Sequence, residues 1–204
     1  MPRPAVLAAA VTALAASPVA AADITSAYTE IDAQTSCVVY AAAAADEGGD
    51  WASLACAGYR GYPVLIAYGD ARESVFYGFP PAGGGELEWE SFAGFNRTGP
   101  TVEWRLWHDG DSVVPFAAIH RWFVVADPQD PEAEVEVLVV EKVGQPDRGE
   151  GCAVGYVVAT GNAGANEAAR RIADNQVHDF ACGADQPVID AGDVPVPAFT
   201  GFGG

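Results

Sequence analysis

Between residues 37 and 160 the chain is a series of short apolar runs broken by Gly, Pro and Asp, and this rhythm points to an antiparallel sheet. The candidate strands cover residues 37–41, 62–68, 73–79, 101–107, 116–125, 134–142 and 152–159. Within 101–107, Val102, Trp104 and Leu106 fall on one face and Glu103 and Arg105 on the other, the alternation of a half-solvated strand. Within 134–142, Val135, Val137 and Val139 share one side, while Glu134 and Glu136 give way to Leu138 and Val140 on the other. Asp109-Gly110-Asp111, Asp127-Pro128 and Pro146-Asp147-Arg148-Gly149 supply turns. A meander is the simplest arrangement.

From residue 165 to 180 the period changes. Ala165, Ala168, Ala169, Ile172, Ala173, Val177 and Phe180 recur at helical spacing, with Asn162 or Gly164 placed to cap the start. The lead-in 161–164 lacks the GxGxxG pattern and the lysine of a phosphate loop. The expected fold is therefore α+β: about seven antiparallel strands with one C-terminal helix packed on them.

The four cysteines are read from the N-terminus. Met1 and Arg3 precede an uncharged apolar stretch at 5–16, and Pro18 stands ahead of Ala20-Ala21-Ala22. That is the form of a secretory signal peptide, too short to span a bilayer as a permanent helix. The mature chain is expected to begin at Asp23, in the periplasm or outside the cell, where Cys37, Cys56, Cys152 and Cys182 can oxidise. Neighbour pairing, 37–56 and 152–182, is the simplest of the three possible connectivities. Each bridge would contribute ~3 kcal/mol in the chain-entropy account. One domain is expected over 23–183, followed by a flexible Pro/Gly-rich tail at 184–204.

The formal charge of −18 becomes −19 once Arg3 is removed, and Lys142 is the only lysine. Such a chain is repelled by nucleic acid and by anionic membrane surfaces, so neither is an expected partner. No later segment is apolar enough for a membrane span. The charge suits a cationic protein, peptide or glycan of the envelope, or solubility alone.

Several stretches together resemble a group of small exported alphaproteobacterial proteins, rhizobial ones among them, with no known activity. They are Ser26-Ala27-Tyr28-Thr29, the run 46–64 including Cys56-Ala57-Gly58-Tyr59-Arg60-Gly61-Tyr62-Pro63-Val64, and Gly69-Asp70-Ala71-Arg72. Val102-Glu103-Trp104-Arg105, Val137-Leu138-Val139-Val140 and Ala165-Asn166-Glu167-Ala168-Ala169-Arg170 also match, and the proline-rich tail does not. The resemblance implies a periplasmic or secreted location and supplies no cofactor or catalytic residue.

Candidate chemistry is sparse. Disulfide-bonded cysteines cannot serve as nucleophiles, and His108, His120 and His178 lack zinc-ligand spacing. His120 would act as a general base if Glu103 or Asp109 approached it, which defines a hydrolase alternative. His108-Asp109-Gly110-Asp111 reads as a turn, or as a weak cation site. Glu86, Glu88 and Glu90 flank Trp89 and read as a solvated strand face, or as acids set for a sugar. The leading expectation is a non-catalytic binding domain with no cofactor or metal. Tyr59, Arg60, Tyr62 and Arg72, with Trp51, would form its aromatic and guanidinium-bearing patch. A structural protein of the envelope is the third reading.

Overall fold

The computed structural model describes residues 23–44, 46, 48–83, 87 and 89–200. Residues 1–22, where a leader is expected, Glu86, Glu88 and residues 201–204 lie outside the described residues. Twelve strands and one helix are described. The first half holds β1 (Asp23–Glu30), β2 (Cys37–Ala42), β3 (Ala52–Cys56), β4 (Val64–Gly69), β5 (Arg72–Tyr77) and β6 (Ser91–Phe92). The second holds β7 (Asn96–Asp109), β8 (Ser112–Val125), β9 (Glu134–Lys142), β10 (Ala153–Val158), α1 (Ala165–Gln176), β11 (Val188–Asp190) and β12 (Phe199–Thr200).

A six-stranded sheet runs in the order β1-β7-β8-β9-β10-β11, and a four-stranded meander runs β2-β3-β4-β5. All pairings are antiparallel except that of β11, which lies parallel to β10. Strand parity then makes three layers. On one face of the large sheet, Val102, Trp104, Val137 and Val139 meet Cys56, Val64, Ile66, Val75 and Tyr77 of the small sheet. On the other, Ile119, Leu138, Val140, Val154 and Val157 meet Ala165, Ala169, Ile172 and Ala173 of α1. Alanines on that side of α1 keep it close to the sheet. At Gly155 an added Cβ would stand 2.7 Å from Ile172, so glycine is what allows the approach.

Both bridges form as the spacing suggests, Cys37–Cys56 across a register pair and Cys152–Cys182 from β10 to the chain beyond α1. Gly164 stands at the helix start, and Asn162 Oδ1 accepts its N–H at 2.9 Å. The helix ends at Gln176, and Val177 and Phe180 reach the core from the turn that follows.

Two expectations are corrected. Glu103 and Arg105 are not half-solvated, because α1 covers them and supplies their partners. Residues 184–200 do not stand free of the domain. Val188–Asp190 extends the large sheet, and Phe199 lies with its ring centre 5.0 Å from Phe92 and 4.7 Å from Tyr156. Two short strands and one aromatic side chain anchor what composition alone marks as loose.

The β4–β5 hairpin turns through Asp70 and Ala71 at φ 52° and 53°, the left-handed region that a two-residue hairpin needs and an alanine disfavours. Ala71→Gly should therefore stabilise the protein by about 1 kcal/mol, or ~2–4 °C in Tm. An unchanged or lower melting midpoint would count against strain at this turn.

Candidate functional site

The residues proposed for binding do not form one patch. Tyr59, Arg60 and Gly61 make a single 3-10 turn ahead of β4, with Arg60 in the left-handed region and its guanidinium 5.4 Å from the Tyr59 ring centre. Tyr59 leans on Trp104. The Tyr62 hydroxyl donates to Gln145 Oε1 at 3.0 Å, its ring meets Phe79 edge-on, and burial raises its pKa above the usual phenol value. These groups sit at the start of β4, whereas Arg72 follows the turn at its end, ~17 Å away along the strand. Arg72 pairs there with Asp70 at 3.1 Å. Closeness in sequence misled because a strand lies between the two loops.

His120 is fully buried between the sheets. Its Nδ1 accepts from the Tyr77 hydroxyl at 2.6 Å, and its Nε2–H donates to the Gly99 carbonyl at 2.6 Å. Those partners define a neutral ring, and desolvation lowers its pKa to about 4. Glu103 pairs with Ile119, so it points to the opposite face, and Asp109 lies out at the hairpin end. Among the described residues, the His120 ring is bonded to Tyr77 and Gly99 and to no carboxylate, so the hydrolase alternative loses its base.

His108 instead meets Thr25 Oγ1 at 2.8 Å. Among the described residues, no group of three or more His, Cys, Asp or Glu is placed to hold a metal ion. Of the three glutamates around Trp89, the described one, Glu90, has its N–H bonded to Ser74 Oγ. Glu141, unremarked in sequence, shares parity with Val137 and Val139 and is only 4% exposed. Burial first, and the Glu90 carboxylate second, push it well above the ordinary carboxylate range. The parity of 134–142 could have exposed it.

The outer face of the small sheet builds a different site. Register aligns Ala41, Ser53, Ala67 and Ser74 in one row across the four strands, and Ala55, Leu65 and Phe76 in the next. Small side chains leave a trough of about 790 Å3, bordered by Tyr40, Trp51, Phe76, Pro80, Leu87 and Trp89. Consecutive strand residues normally point to opposite faces. Tyr40 and Ala41 both line this trough because the β2–β3 register shifts between Val39 and Ala41, a bulge that re-aims the tyrosine. At the far end, Gly69 leaves room beside Trp51, where an added Cβ would come within 3.5 Å. Arg72 shares the outer-face parity of Ser74 and Phe76, so Trp51 and Arg72 are the part of the expected patch that survives on this face.

A second cleft of about 490 Å3 lies near the end of α1, where Trp107 stacks on His178. Its walls carry Asp109, Lys142, Asp147, Arg148 and Glu150, and Lys142 is already occupied by the Phe180 carbonyl and Glu150. The trough is larger, and its described lining carries no charge to be neutralised. Volume and apolar lining are those of a ligand site. No protein-family model, curated protein or solved structure matches this chain.

Proposed function

We propose that this protein is a non-catalytic binding domain of the cell envelope that takes its ligand on the outer face of the small sheet. The uncovered aromatic trough carries the reading. Tyr40, Trp51 and Trp89 are 60%, 47% and 39% exposed around it. Large aromatics clustered in the open on a concave face are what a binding surface supplies and a purely structural protein has no use for. Export is part of the proposal. It is supported by the two disulfides, by the leader-like residues 1–22, and by the resemblance to exported alphaproteobacterial proteins.

Co-sedimentation with insoluble envelope material from an alphaproteobacterium tests it. Wild-type protein should be retained, and a Trp51→Ala, Trp89→Ala double variant should lose about tenfold in apparent affinity, as expected when exposed aromatic anchors are removed. Unchanged melting of the variant would show that the loss is local. Equal retention of both proteins would remove the trough as the ligand surface.

A further inference from the structure

We infer that the ligand of this trough is an uncharged polysaccharide, an assignment that rests on the trough being the binding surface. Charge is the first argument. The chain has 28 Asp and Glu against 10 Lys and Arg, yet none of the described lining residues is ionisable at neutral pH. A cationic ligand would find its counter-charges elsewhere on this surface. An anionic one would be repelled by the whole molecule, and Arg72, the cation on this face, is already paired with Asp70 at 3.1 Å.

Hydrogen-bonding chemistry is the second argument. The floor is the face of a sheet whose inner strands β3 and β4 have their backbone groups spent in the ladders, and the free edge of β2 lies at its rim. An extended peptide laid across it would bury amides with nothing to bond to, a cost that confines peptide docking to sheet edges. A pyranose ring differs. Its C–H face is apolar and matches an aromatic plane, while its hydroxyls project at the periphery. The periphery here offers the Tyr40 hydroxyl, the Trp51 and Trp89 indole N–H groups and the Ser53 hydroxyl, none of them engaged with another described residue.

Shape is the third. The lining draws on all four strands, so the trough spans ~14 Å across the sheet, long for one sugar and suited to a short run of rings. Its open, shallow form admits an internal stretch of a chain and makes no demand for a free end. Small residues at Ala41, Ser53, Ala55 and Ala67 let the rings lie flat.

Native gel electrophoresis of the full mature protein through gels containing a soluble polysaccharide tests the assignment. The probes are hydroxyethyl cellulose, glucomannan, laminarin and dextran as neutral chains, and alginate as a polyuronate. At least one neutral chain should retard the protein, Trp51→Ala and Trp89→Ala should each weaken that retardation about tenfold, and added salt should leave it unchanged. Retardation by alginate alone, or by no neutral chain, would overturn the ligand class. If envelope co-sedimentation still depended on Trp51 in that case, the binding surface would stand and only the ligand would be wrong. If it did not, both would fall.

Discussion

Glu103→Ala is expected to cost the fold about 3–5 kcal/mol, the penalty of removing one partner from a buried ion cluster. Its carboxylate accepts from the Ser26 hydroxyl at 2.6 Å and from Arg170 Nε and Nη2 at 2.7 and 3.1 Å. Arg105 lies 3.9 Å away and holds Asp174 through Nε and Nη2 at 2.8 and 2.6 Å. Two guanidinium groups therefore face two carboxylates where Glu103 and Arg105 keep only 10% and 9% of their side-chain exposure. Deleting Glu103 leaves Arg170 with the exposed Glu167 and Arg105 with Asp174, and it cuts the link between that helix, β1 and β7. Arg170 is 29% exposed and can turn towards water, which favours the lower part of the range. For a chain of this size the loss corresponds to a fall in Tm of roughly 10 °C. Glu103→Gln, which keeps the volume and one acceptor, should lose less. A cost below about 1 kcal/mol for the alanine variant would mean that the cluster is solvated and the helix is held by its alanines alone.

Between pH 4 and 6.5 two buried groups act on stability with opposite signs, and removing one of them should steepen the profile. His120 titrates at about 4 in the fold against 6.5 when unfolded. Between those values the unfolded chain binds the extra proton, so this contribution is complete above pH 6.5 and lost as pH falls towards 4. The gap is worth ~3 kcal/mol. Glu141 acts in the opposite sense. Its folded pKa is raised, so from the unfolded value upward the native state holds a proton that the unfolded state releases, and stability falls as pH rises. The histidine slope is ~1.4 kcal/mol per pH unit, and Glu141 opposes it from its unfolded value of 4.5 upward. Glu141→Gln should expose the histidine: urea denaturation would show stability climbing by ~3 kcal/mol from pH 4 to 6.5, with a gain over wild type at neutral pH. A Glu141→Gln profile no steeper than the wild type would show that the two buried groups do not oppose each other.

Long elements declared themselves in the sequence. Alternation in β7, β8 and β9 and helical spacing in α1 were legible because each repeats its period several times. Of the three pairings the cysteines allowed, the simplest is the one that forms. Strands of two to five residues, such as β3, β6, β11 and β12, carry too few repeats for a period to show. Polar residues on a strand face were harder still. Glu103 and Arg105 look the same in sequence whether water or a partnered helix lies above them. The trough was hidden for a related reason, because Tyr40, Trp51, Phe76 and Trp89 belong to three strands' surroundings and a loop and converge only through register and one bulge.

Tyr40 stands on β2, the outermost strand of its sheet, where the backbone has a neighbour on one side only. Five register pairs and the Cys37–Cys56 bond hold that strand in place. With the bond reduced, the strand that carries one wall of the trough keeps only its ladder to β3. Closing the Cys37–Cys56 bond therefore fixes the strand that carries Tyr40, and with it one wall of the trough.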